Sequence, residues 1–158
     1  MENNRREFKE VYRGRVTSTM TGREQLELVK EKQKLIDKKE QRLNEMKAIA
    51  YSTSSANYST PRVQTSYKPD RREQLLATCI DLEQELLGDK LDLFIYRDKL
   101  INEIFKIHDA TLINFLIYRY IRLQPLKEVA RHIEASEVYT RHLNKKAVNC
   151  FEEIINNE

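Results

Sequence analysis

Apolar side chains return every seven positions over two long stretches of this chain. Val29, Ile36, Leu43 and Ala50 form the first series, joined by Leu26 and Met46. Residues repeating at that interval stay on one face of a long helix. Thr21 followed by Glu24 has the form of a capping box, so a first helix is expected to begin there and run to about Ala50. Leu75, Cys79, Leu82, Leu86, Leu93, Tyr96, Leu100 and Ile107 mark a second seam behind a similar Asp70 and Glu73 pair, which predicts a second helix to roughly His108. Gly88 lies inside it and suggests a local bend or a close contact.

A helix with one apolar stripe needs a partner stripe to bury it. Residues 51–69 are rich in Ser and Thr, with Pro61, Pro69, Tyr51, Tyr58 and Tyr67, and read as a long disordered connection. Such a connection lets the two helices fold back as an antiparallel pair, and the same seams would equally serve a homodimer. Residues 1–20 mix Arg5, Arg6, Lys9, Arg13 and Arg15 with acidic residues without apolar periodicity, and read as a mobile arm.

Beyond Asp109 the apolar positions crowd together. Leu112, Ile113, Phe115, Leu116, Tyr118, Tyr120 and Ile121 predict a short core helix. Gln124-Pro125 places proline at a first helical position, and Leu126, Val129, Ala130 and Ile133 mark the buried side of the helix that follows, with Lys127 and Arg131 outward. Glu134-Ala135 reads as a tight turn in which Glu134 stands where glycine is usual, and Ser136 is a well-formed N-cap. In the third helix Thr140, Leu143, Ala147, Cys150, Phe151 and Ile154 form the inward stripe, whereas Glu137, Val138, Tyr139, Arg141, His142, Lys145 and Lys146 face outward. The predicted fold is therefore all-α, with an arm at 1–20, a long antiparallel, coiled-coil-like helical hairpin at 21–108 and a three-helix, helix-turn-helix bundle at 109–158.

Composition fits this reading: 34% of the 158 residues are charged, and three glycines and three prolines leave little to punctuate many short strands. The formal charge of +3 decides nothing about nucleic acid, but no acidic side chain lies between residues 138 and 148. A short helix, a tight turn and a second helix with basic, hydrogen-bonding residues in its first half suit insertion into the major groove, which admits one α-helix. In that setting Arg141 suits a guanine edge, Tyr139 and His142 suit bases or phosphates, and Glu137 suits a cytosine amino group. Lys127, Arg131, Lys145 and Lys146 suit phosphates.

Other chemistry finds no footing in the sequence. His108, His132 and His142 lack ligand-type spacing, no Gly-rich phosphate loop occurs, and most acidic residues alternate with basic ones, so neither enzymatic activity nor a cofactor or metal is expected. Cys79 and Cys150 fit no zinc or redox spacing and read as core residues in a reducing compartment. Met1 to Arg15 lacks an apolar h-region and no stretch suits a membrane span, so a cytoplasmic location is expected.

The runs Tyr118-Arg119-Tyr120-Ile121, Leu126-Lys127-Glu128-Val129-Ala130-Arg131-His132-Ile133 and Ser136 through Leu143 resemble region 4 of sigma-70-type factors. The chain departs from that pattern at Thr140, where an aliphatic residue is usual. The wider arrangement, with Leu35-Ile36-Asp37 and Ile80-Asp81-Leu82-Glu83-Gln84-Glu85, resembles small phage and prophage proteins over residues 25–155. Related late transcriptional regulators, of the ArpU and RinA kind, end in a similar element. The resemblance implies a regulator that binds double-stranded DNA and acts with host RNA polymerase, its recognition helix starting at Ser136 with Tyr139, Arg141, His142 and Lys145 toward DNA. Two alternatives stay open: a small terminase-like packaging factor, and a helical-hairpin adaptor or inhibitor that docks on a protein.

Overall fold

The computed structural model describes residues 20–52 and 71–156, and among them all regular structure is helical. The expected arm (1–20) and connection (51–69) lie outside the described residues, apart from Met20 and from Tyr51 and Ser52, which still belong to the first helix. The Asp70 cap also lies outside. Five α-helices follow one another: α1 (Gly22–Ser52), α2 (Arg71–Ile104), α3 (Ala110–Leu116), α4 (Leu126–His132) and α5 (Glu137–Asn156), with a π-helical turn at Ile117–Ile121 continuing α3. No described helix is long and apolar enough to cross a membrane.

The chain divides into two compact units, and the divisions fall inside both long helices: one unit is Lys32–Phe94, the other joins the residues up to Glu31 to those from Ile95 onward. In the Lys32–Phe94 unit the seven-residue repeat sets burial. Ile36, Leu43 and Ala50 of α1 and Cys79, Leu86 and Leu93 of α2 are buried, and at roughly 1.5–3 kcal/mol per large side chain this seam is the main stabilising term. Lys39 meets Glu85 (2.9 Å) and Asp89, while Glu40 meets Lys90 and Lys47 meets Glu83, an antiparallel order of partners. Burial pulls the Lys39 ammonium down, but its hydrogen bonds to Asp89 and Glu85 outweigh that and raise it. These partly exposed pairs contribute little stability and select register.

Gly88 makes no close contact: a Cβ built there meets nothing within 4 Å, and α2 continues through it. Neither thiol is bridged, and Cys150 is half-buried rather than a core residue like Cys79.

In the other unit, the start of α1 is fixed by a reciprocal capping box, Thr21 N–H donating to Glu24 (2.9 Å) and Glu24 N–H to the Thr21 hydroxyl (3.3 Å). Gly22 lets α1 approach α5: an added Cβ would sit 3.0–3.1 Å from Glu152 and Phe151. The Tyr96 hydroxyl donates to the Gln25 carbonyl at 2.9 Å. Leu26, Leu100, Ile104, Phe115, Leu116, Val129 and Phe151 supply much of the buried core.

Two boundaries differ from the sequence reading. α2 ends at Ile104 rather than near His108, because Phe105 and Lys106 turn the chain and Asp109 caps the next helix, accepting from Thr111 N–H (2.9 Å) and Leu112 N–H (3.4 Å). Pro125 is the N-cap of α4, not its first helical residue; its ψ of 151° is extended and its carbonyl accepts from Glu128 and Val129. The expected core helix through Ile121 also changes pitch after Leu116. Arg122 N–H reaches back five residues to the Ile117 carbonyl (2.9 Å), and this wider turn buries Ile121 while leaving Tyr118 and Tyr120 half-exposed.

Candidate nucleic-acid interface

α4 and α5 are joined by Ile133–Ser136, and the local sequence explains the tightness of that link. Glu134 adopts φ 54°, the left-handed conformation in which a side chain costs about 1 kcal/mol or more. Ala135 N–H closes the turn onto the Ala130 carbonyl at 2.9 Å. The Ser136 hydroxyl accepts from Tyr139 N–H at 3.2 Å, the N-cap its sequence position predicts. One turn on, Thr140 is fully buried, and its hydroxyl donates to the Ser136 carbonyl at 2.8 Å. A polar residue is thereby accommodated in the core, since its hydroxyl hydrogen bond is made locally.

Inward positions of α5 follow expectation at Thr140, Leu143, Ala147 and Phe151, with Val148 also buried and Ile154 half-buried. All nine predicted site residues, Lys127, Arg131, Ser136, Glu137, Tyr139, Arg141, His142, Lys145 and Lys146, are exposed. Val138, Arg141, His142 and Lys145 share one stripe of α5 by their three- and four-residue spacing, with Tyr139 and Lys146 beside it. Lys127 and Arg131 stand on α4.

The cations differ in their surroundings. Arg131 is held by Glu128 at 2.9 Å, and Lys146 lies 3.8 Å from Asp109. Among the described residues no acidic partner accompanies Lys127, Arg141 or Lys145. The strongest available charge is therefore on the middle of the exposed stripe of α5.

A groove of about 330 Å³ runs beside that stripe, lined by Arg23, Tyr120, Asn144, Lys145, Val148 and Asn149. The Tyr120 hydroxyl donates to the Asn144 side chain at 2.9 Å, and burial pushes its pKa up. Arg23 is engaged by Glu27 at 3.0 Å. Of these residues the sequence pointed only to Lys145 as a site residue. Helical spacing from Lys145 could have found Asn149, but no local signal announces Arg23, which comes from α1.

A second unforeseen group lies at the π turn. Tyr118 stacks on His132 with ring centroids 4.4 Å apart and planes 5° apart, and the Arg122 guanidinium sits 4.9 Å from the same ring. The pitch change that brings Tyr118 there has no signature in apolar spacing. Among the described residues no three His, Cys, Asp or Glu side chains gather as a metal site would require. No family model, curated protein or solved structure matches the chain.

Proposed function

We propose that this chain is a transcriptional regulator of the phage type that binds duplex DNA through a C-terminal helix-turn-helix, with α4 as the supporting helix and α5 as the reading helix. A helical hairpin from α1 and α2 precedes that element in the proposed architecture. The observation that carries the reading is the exposed stripe Val138, Arg141, His142 and Lys145 on an N-capped helix, free of acidic side chains from residue 138 to 148. Arg141 has two donors for a guanine edge, Val138 suits a thymine methyl group, and Glu137 suits a cytosine amino group. Lys127, Lys145 and Lys146 neutralise phosphates and fix the register of the helix in the groove. The chain acts by binding rather than by catalysis, and the resemblance to sigma region 4 extends the proposal to contact with host RNA polymerase.

The test is equilibrium selection from random duplexes at two salt concentrations, comparing wild type with the Arg141→Ala/Lys145→Ala variant. An enriched sequence that the variant fails to enrich is the expected result. Absence of salt-sensitive duplex binding overturns the proposal in favour of a hairpin that docks on protein.

A further inference from the structure

α2 carries a second heptad seam that the first does not use. Beside the buried Cys79, Leu86 and Leu93, the residues one position further along, Ile80, Leu87 and Phe94, repeat at the same interval, and Leu91 joins them. Ile80 is 54% exposed, Leu87 71%, Leu91 58% and Phe94 67%. With a fully exposed Leu or Ile near ~180 Å² and Phe near ~220 Å², these four show on the order of 450 Å² of largely apolar surface. A standard interface covers roughly 800 Å² per partner, about two-thirds of it apolar in homodimers, so this stripe supplies most of the apolar area one copy must contribute.

We infer that this face of α2 is a self-association surface, on which a second copy of the chain packs its own Ile80–Phe94 stripe in antiparallel orientation. An isologous interface must be complementary to itself about its midpoint. Here Ile80 and Phe94 lie seven residues to either side of Leu87, so antiparallel pairing about Leu87 sets Ile80 of each copy against Phe94 of the other. Parallel pairing would instead set the two largest side chains of the stripe, Phe94 and Phe94, at one level and the two smaller Ile80 side chains at another, which fills the seam less evenly.

This surface differs from the buried Leu86 and Leu93 seam, and the inference does not depend on DNA binding. It is tested on the full chain by sedimentation equilibrium up to about 100 μM, the range in which weak interfaces of this size associate. Wild type is expected at twice the 18.9 kDa chain mass. Leu87→Asp is expected to weaken association by ~10-fold or more while helicity by circular dichroism is kept. Leu87→Cys, at the midpoint of the pairing, should form a covalent dimer under mild oxidation that wild type, carrying Cys79 and Cys150, does not form. A wild-type chain that stays at 18.9 kDa overturns the inference. So does a dimer that survives Leu87→Asp with no Leu87→Cys cross-link, because association would then use another face.

Discussion

Glu134 holds a left-handed backbone, φ 54°, at the corner between α4 and α5. Glycine adopts this conformation at no steric cost, although it gains more freedom on unfolding, so the net gain is a fraction of the ~1–2 kcal/mol strain. Glu134→Gly should therefore stabilise the chain by about 0.5–1 kcal/mol, read as a higher urea midpoint with an unchanged m-value. Tyr96 offers a pH-dependent counterpart. Burial pushes its phenol from 10.0 up to about 12, and its hydroxyl donates to the Gln25 carbonyl. The folded chain prefers the neutral phenol, so this stabilisation is complete below pH 10 and is lost as pH rises from about 10 to about 12. Tyr96→Phe should cost about 1 kcal/mol at neutral pH, the worth of one hydrogen bond, and should flatten the alkaline decline in thermal midpoint over that window. A decline as steep as that of wild type would show that other groups drive it. The two residues differ in legibility. Glu134 was readable because the turn chemistry is local, whereas the Tyr96 bond joins α2 to a carbonyl 71 residues away, which no spacing rule encodes.

The long helices were legible because a seven-residue period is a repeated signal, and each repeat adds to it. Val29, Ile36, Leu43 and Ala50 are all buried, as are Cys79, Leu86, Leu93 and Leu100. Their ends were less legible: α2 stops at Ile104 although the apolar period continues to the buried Ile107, because a side chain can occupy a seam position from a turn as well as from a helix. The π turn after Leu116 was invisible for a related reason. Its one-residue shift in hydrogen bonding leaves composition unchanged and moves only the direction in which Tyr118 and Tyr120 point. The period also fixes how adjacent positions on α2 must differ. Leu86 is buried and Leu87 is 71% exposed. Leu86→Ala should cost ~2–5 kcal/mol by leaving a cavity in the Lys32–Phe94 unit. Leu87→Ala should cost less than ~0.5 kcal/mol in solutions dilute enough to hold single chains. Urea titrations of both variants at low concentration check this contrast, and equal costs would contradict the assignment of the two faces.

At the scale of the whole molecule the charge of +3 spreads over 28 basic and 25 acidic side chains, so function depends on where ion pairs consume charge rather than on its total. The sequence exposed the outward residues of α5, since helical spacing separates them from the apolar stripe. It did not show which cations are already engaged, because that depends on rotamers and on neighbours such as Asp109. Arg131 is the informative case: expected to meet phosphate, in the chain by itself it lies 2.9 Å from Glu128, and their spacing of three residues favours this contact on α4. On the DNA-binding proposal, engaging a phosphate requires Arg131 to leave that carboxylate, while Glu128 itself repels the phosphate backbone. Removing the carboxylate charge should therefore strengthen binding. Glu128→Gln is expected to raise duplex affinity several-fold at low salt and to steepen the fall of log K with log salt by up to about one unit, the contribution of one additional neutralised phosphate. Lys127→Ala is expected to change the slope by a similar amount in the opposite sense. Fluorescence anisotropy on one duplex over a salt series measures both. If Glu128→Gln leaves affinity and slope unchanged while Lys127→Ala lowers them, α4 meets the backbone only through Lys127 and Arg131 faces away from it. If neither variant moves the slope, α4 does not touch the duplex, and the proposed placement of α4 and α5 against DNA fails.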